Sequence, residues 1–293
     1  MRGRGLIMTM RALAPPSLAP SAAFILRTAV LLLFLALLLF PLFWMLSSSF
    51  QANEELYRSP PRWIPRSPRL DNYASVAASR DFARYYLNNF TVSILTTALT
   101  MLASVFAGYS LSRFRTRLTK GISVVLLSTQ MFPVIGIIIA LYAFFRSMKL
   151  INTHAGLVLA LTASSLPFCI WLIKGFFDDL PKSIEEAAEI DGCSRLGILS
   201  RIVLPLSKPG LLAIGIFTFM TAWDDYLYGL TLVVSDRLRT LSVGISLRYL
   251  GEASYDWAQV TTISVVASIP VFFLFVFFQK YMIQGLTAGA VKG

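Results

Sequence analysis

The sequence predicts an all-α membrane protein with six transmembrane helices, and three observations predict it. The 293 residues are 56% hydrophobic and only 14% charged, whereas a soluble domain carries about 25% charged residues. Six separate stretches stay apolar over the roughly 20 residues that a helix needs to cross about 30 Å of hydrocarbon. Basic residues gather beside the ends of these stretches, where they set orientation in a membrane. So little charge cannot clothe a water-soluble surface of this size, and so much apolar side chain excludes intrinsic disorder. A net charge of +11 would point to nucleic acid in a soluble chain. Spread along the flanks of membrane spans it reads as topology, and no nucleic-acid partner is expected.

The first span covers 24–46. Arg2, Arg4 and Arg11 precede it, but its apolar run exceeds the roughly 7–15 residues of a signal-peptide core, and no small-x-small cleavage site closes it, so it reads as a retained anchor. A loop rich in Pro and Arg follows over 50–84. The second span covers 86–111, with Asn88 and Asn89 expected as caps or interface residues. The third covers 121–145, the fourth 155–173, the fifth 211–234 and the sixth 260–281. Pro133, Pro167 and Pro270 interrupt spans three, four and six and mark either kinks or ordinary packing features. Gly108, Gly136 and Gly215 are expected to permit close helix packing. The cluster Arg113, Arg115, Arg117 and Lys120 favours cytoplasmic N- and C-termini.

The chain is poor in reactive chemistry. Cys169 and Cys193 suggest no disulfide framework, and Cys169 reads as an inert buried thiol. His154 is the one histidine and cannot make a zinc site alone, so no metal site is expected. No G-x-x-x-x-G-K-[ST] loop occurs, so the chain has no phosphate-loop ATP site of its own. Without a catalytic cluster, neither an enzymatic activity nor a cofactor held by this chain is expected.

Between spans four and five lies the most informative segment, 174–210. Six of the 15 acids, Asp178, Asp179, Glu185, Glu186, Glu189 and Asp191, fall in it. Ser183 with Glu186 three residues on reads as a capping box opening a short helix to about Ile190. Ile184, Ala187 and Ala188 would share one face of it. Asp191-Gly192 then breaks the helix, with Gly192 suited to the left-handed cap. A second amphipathic helix follows, with Leu196, Leu199 and Ile202/Val203 on one side, ended by Leu204-Pro205. By its residues alone the segment could equally be an elbow resting on the lipid surface.

The string Glu186-Ala187-Ala188-x-x-Asp191-Gly192, followed by Ile202-x-Leu204-Pro205-Leu206-x-x-Pro209, resembles the EAA motif of the membrane subunits of ABC importers. Cys193 replaces the usual small Ala, and Leu199 stands where Phe is common. The resemblance covers residues 85–293 and implies a type I ABC importer permease fold with a cytoplasmic coupling helix. It implies that Glu185, Glu186, Ala187, Ala188, Asp191, Gly192, Leu199 and Pro205 dock on an ATP-binding subunit. The C-terminal string 285–293 resembles the tail of maltose-type carbohydrate importer subunits, which implies an ATPase contact by Gly285, Thr287, Gly289 and Lys292. The implied organisation is residues 1–84 as tail, anchor and external loop, 85–281 as permease core with its EAA loop at 182–209, and 282–293 as cytoplasmic tail. The implied partners in a bacterial plasma membrane are a second homologous permease subunit, two ATP-binding subunits carrying ATP and Mg, an external sugar-binding protein, a carbohydrate and membrane lipid.

Inside the fifth span stand Trp223, Asp224, Asp225, Tyr226 and Tyr228. Acids at membrane depth usually face a bundle interior or a water-filled path, which makes these five a possible substrate path. They fit an aromatic belt at the outer interface as well. Where relatives often show Trp-Asn, this chain has Asp224. Two further function classes stay in view: an ion-coupled secondary transporter using Asp224 or Asp225, and an ABC importer whose cargo is a polyol or a glycerol phosphate.

Overall fold

The structure, a computed structural model, describes residues 22–114, 116–249 and 256–288. The regular structure of the described residues is helical throughout. In chain order the helices are α1 (Ala22–Ser49), α2 (Asn53–Leu56), α3 (Asp71–Ala78), α4 (Arg80–Arg113), α5 (Arg117–Thr129), α6 (Val134–Ser147), α7 (His154–Asp178), α8 (Lys182–Ile190), α9 (Arg195–Ile198), α10 (Leu204–Leu206), α11 (Lys208–Trp223), α12 (Leu227–Leu232), α13 (Leu241–Tyr249) and α14 (Trp257–Ala288). A π-turn over Leu199–Val203 joins α9 to α10, and a 3-10 turn covers Asp236–Leu238.

Among the described residues, α1, α4, α7 and α14 are each long and apolar enough to cross a membrane, and the number rises to six when each of two bent helix pairs counts as one span. The expected third span is one such pair. It breaks into α5 and α6 at Pro133, which caps α6 with φ −59° and ψ 130°. A proline holds the preceding residue out of the helical region and has no N–H to donate. By contrast, Pro167 and Pro270 sit inside unbroken helices. Near Pro167, Gln130 Nε2 donates to the Ser164 carbonyl at 3.2 Å. The expected fifth span stops at Trp223 and resumes as α12.

The chain forms two compact units, Met1–Trp44 and Met45–Gly293. The described part of the first is the stretch of α1 ending at Trp44, apolar on every face through Leu31–Phe40, as suits a helix wrapped in lipid.

The second unit is built on α4. Three buried apolar clusters lie along it, drawing Phe82 and Tyr85 at its start, Val92 in its middle and Val105 towards its end. Asn89, Ser93, Thr96, Thr100, Ser104, Gly108 and Ser112 recur every three or four residues and are all buried, so they form one stripe of small and polar groups. Such a stripe lets helix backbones approach closely where lipid supplies no hydrophobic drive. At Gly108 a Cβ would stand 2.5 Å from Ile173 Cγ2 on α7, so glycine is required there. Gly215 meets only the Met101 thioether at 3.2 Å, and Gly136 has open space around it within this chain.

Residues 45–84 belong to the second unit and are folded. Asn72 Nδ2 donates to the carbonyls of Ser49 and Gln51, both at 2.9 Å. Thr262 Oγ1 donates to the Ser49 carbonyl at 3.2 Å. Helix α4 starts at Arg80, capped by Ser79, whose hydroxyl accepts from Phe82 N at 3.2 Å. Asn88 and Asn89 are therefore not caps. Asn88 donates to the carbonyls of Arg237 and Arg239 at 2.9 and 3.0 Å, and Asn89 to that of Trp223 at 3.2 Å.

Candidate functional site

Helix α8 opens two residues earlier than its sequence suggests. Pro181 is the N-cap, and Ser183 lies inside the first turn without a capping bond. Proline's fixed φ suits it to a helix entrance, which displaces the expected Ser183–Glu186 capping box. Glu185 in the first turn lies favourably in the helix dipole. At the other end the expectation holds. Gly192 has φ +81°, its N–H donates to the Glu189 carbonyl at 3.1 Å, and Cys193 N donates to the Ala188 carbonyl at 2.9 Å. These two bonds make a Schellman cap, which needs a left-handed residue at Gly192.

Of α8 only Ala188 is buried. It joins the cluster of Val105, Cys169, Ile173, Phe177, Ile198, Leu199, Val203 and Ile214. The face expected to pack is split, because Ile184 and Ala187 are exposed. Ile190 is 87% exposed and Leu196 67%. The second helix buries Ile198, Leu199 and Val203 rather than Leu196, because the π-turn widens the helix at Leu199 and rotates the faces on either side of it. Nor does Leu204-Pro205 end it. Pro205 lies inside α10, and the break comes at Ser207, where the segment 195–206 meets α11 at 80°. Glu186, Glu189, Asp191 and Gly192 are exposed beside the bare apolar groups.

Glu185 is half-buried and bonded to the permease itself. Arg113, at the end of α4, donates through Nε to its Oε1 at 2.7 Å and also pairs with it through Nη2. The Tyr109 hydroxyl donates to its Oε2 at 2.9 Å. Arg113 Nη1 further donates to the Phe177 carbonyl at 2.8 Å and to Ser112 Oγ at 2.9 Å. Ser112 in turn donates to Asp178 Oδ1 at 2.7 Å, and Lys174 Nζ to Asp178 Oδ2 at 2.5 Å. The sequence marked Arg113 only as a topology charge. Its pairing partner lies 72 residues away, beyond any local pattern.

At the far end of α4 a second network closes around Asp236. It accepts from Arg84 at 2.6 Å, the Tyr85 hydroxyl at 2.6 Å and Arg239 at 2.9 Å. Asp81 takes Arg84 at 2.7 Å and Arg248 at 2.5 Å. The Tyr85 hydroxyl, ahead of the nearby arginines, holds the Asp236 carboxyl below the usual carboxylate range.

The five residues of the possible substrate path scatter around the break after α11. Trp223 is buried, stacked on Phe219 at 5.5 Å between ring centroids and edge-on to Tyr86 at 5.5 Å. Asp224 is exposed. Asp225 caps α12, its carboxylate accepting from Tyr228 N at 3.2 Å and Gly229 N at 2.8 Å. The Tyr226 hydroxyl meets Ser246 Oγ at 3.1 Å. Tyr228 lines a cavity of about 350 Å³ beside the α5–α6 break, with Gln130, Phe132, Ser164 and Pro167. Cys169 is buried against Thr218 at 3.3 Å. Helix α14 carries Gly285 and Thr287 on its last turns, whereas Gly289 and Lys292 lie outside the described residues. Among the described residues no group of three or more His, Cys, Asp or Glu side chains could hold a metal ion.

Residues 99–288 match the family described as binding-protein-dependent transport system inner membrane component. The chain is 38% identical over 255 residues to the sulfoquinovosyl glycerol transport system permease protein of Agrobacterium fabrum, covering 87% of this chain and 89% of that one. It is 34% identical over 257 residues to the trehalose/maltose transport system permease protein of Thermococcus litoralis, covering 87% and 92%. In fold it is similar to a chain of a bacterial ABC transporter involved in import of the acidic polysaccharide alginate, with a TM-score of 0.77 and 23% identity over 92% of this chain and 99% of that one. The chain therefore belongs to the binding-protein-dependent transport system inner membrane component family: it is a membrane-spanning permease subunit of an ABC importer, working with a binding protein and with separate subunits that hydrolyse ATP.

Proposed function

We propose that this permease conducts a sugar delivered by an external binding protein, and that α8 with the turn after it is its contact with an ATP-binding subunit. The observation that carries the contact is the split character of α8. Ala188 and Glu185 hold it to the chain, while Ile184, Ala187, Ile190 and Leu196 stand exposed between the acids Glu186, Glu189 and Asp191. Exposed apolar groups ringed by charge mark a protein interface, and acids can pair with basic groups of a partner. Gly192 sets the direction in which the chain leaves this surface. We further infer that α8 and both termini are cytoplasmic, and that Gly285, Thr287, Gly289 and Lys292 contact the ATP-binding subunits. A second homologous permease completes the translocation path.

A sugar is favoured as cargo because relatives spanning nearly the whole chain carry sugars in their names, sulfoquinovosyl glycerol and trehalose/maltose among them. Tyr228, beside Gln130 and Ser164 in the cavity at the α5–α6 break, has the aromatic face and polar neighbours that suit a polyhydroxylated ligand. Asp225 is engaged as a helix cap, which argues against its use as a coupling-ion site.

The test is co-purification with uptake. Glu186→Lys and Gly192→Val, each in the complete transporter, are expected to lose ATP-binding subunits or ATP-dependent uptake. Full attachment and full uptake in both variants would overturn the contact. Mass spectrometry of the sugars retained by the cognate binding protein identifies the cargo.

A further inference from the structure

We propose that Arg113 is the positioning residue that locks α8 to α4, so that a displacement of the docking helix reaches the membrane core through α4 as well as through the chain that follows α8. The inference rests on α8 being the ATPase contact. It goes further by naming the joint between that contact and the membrane helices.

Three observations carry it. First, α8 has little else to hold it. Only Ala188 of its residues is buried, and beyond that contact it hangs from the turn at Asp179–Pro181 and the Gly192 cap. A helix so attached would swing about its two ends. Second, the Arg113–Glu185 pair is almost closed to solvent, at 10% and 12% side-chain exposure, while every other ion pair among the described residues has at least one side chain 25% or more exposed. Screening is weak there, and the charge-assisted bond from Arg113 Nε to Glu185 Oε1 fixes direction as well as distance. Third, one side chain reaches three elements. Arg113 is rooted in α4, pairs with Glu185 of α8, and donates to the Phe177 carbonyl at the end of α7, which also accepts from Leu180 N at 3.3 Å. Tyr109, one turn earlier on α4, takes the second carboxylate oxygen. Both oxygens of Glu185 are thereby tied to α4, and α8 cannot rotate about its axis without breaking them.

Glu185 and Glu186 are adjacent but divide the work. Glu186 is exposed towards the partner, and Glu185 points back to the permease. Force received at Glu186 is delivered through Glu185 within the same helical turn.

The test is pulsed electron paramagnetic resonance between spin labels at Ser183 on α8 and Leu102 on α4, both exposed, in a Cys193→Ser background of the assembled transporter. With Arg113 present, the distance distribution is expected to stay narrow before and after ATP binding. Arg113→Gln is expected to broaden it and to shift it when ATP binds, with the ATP-binding subunits still attached. Arg113→Lys restores it in part, because it keeps the charge and loses the simultaneous bond to the Phe177 carbonyl. The exchanged pair Arg113→Glu with Glu185→Arg restores it further. An unchanged narrow distribution in Arg113→Gln, with the subunits attached, overturns the proposal. Should Arg113→Gln fail to assemble, Tyr109→Phe is read in the same way: partial broadening supports the joint and no change overturns it. If instead Glu186→Lys leaves the ATP-binding subunits attached and coupled, the docking role of α8 fails, whatever Arg113 does.

Discussion

Gly192 closes α8 and Arg113 ties it to α4, and one was far more visible than the other. An Asp-Gly step after a short helix signals a left-handed cap, and the structure puts Gly192 at φ +81°. A Cβ there would meet nothing within 4 Å, so the requirement is conformational and not steric. Gly192→Ala should therefore cost about 1–2 kcal/mol locally, and Gly192→Asn less, since Asn tolerates the left-handed region. Faster hydrogen exchange at the Cys193 amide, now bonded to the Ala188 carbonyl, would report the loss, with Ala faster than Asn. Arg113 gave no such sign. A basic residue at the end of a membrane span reads as topology, and only the fold brings Glu185 to it. Ser183 misled for a related reason: Ser before a helical run is a good cap, but Pro181 is preorganised for the entrance and starts the helix first.

At the scale of elements, long apolar runs were legible and their interruptions were not. The spans represented by α1, α4, α7 and α14 could be read from length alone. The breaks at Pro133 and after Trp223 could not, because apolar composition continues through both, and Pro167 shows that proline by itself does not decide. The polar stripe of α4 also passes unnoticed inside an apolar count, yet it sets how close α7 comes. Gly108→Leu should force α4 and α7 apart, with a cost of about 1–3 kcal/mol for overpacking, read as a lower denaturation temperature of the purified protein. Gly136→Ala, with open space around it, should leave that temperature unchanged. The network at the other end of α4 predicts a pH dependence. Asp236 titrates lower in the folded chain than in the unfolded one, chiefly through the Tyr85 hydroxyl and then Arg239 and Arg84. Its stabilisation is complete above the unfolded value of about 4 and is lost as pH falls through the folded value. Melting curves of the parent should fall faster over that acid range than those of Asp236→Asn; parallel curves would refute the role of Asp236.

Over the whole molecule, the family was legible because the EAA string joins residue types to spacing, while the geometry around it was not. Of the six acids that crowd the segment 178–191, Asp178 and Glu185 are bonded within the permease, whereas Glu186, Glu189 and Asp191 are exposed. Central to the account is that this chain moves cargo only as part of an ATP-driven assembly engaged through α8. Uptake into proteoliposomes holding the complete transporter, with binding protein and its sugar outside and ATP enclosed, tests that most directly. Uptake should require ATP and the binding protein, persist when ionophores collapse every ion gradient, and vanish in Glu186→Lys. Uptake that continues without ATP and follows an imposed proton or sodium gradient would contradict it.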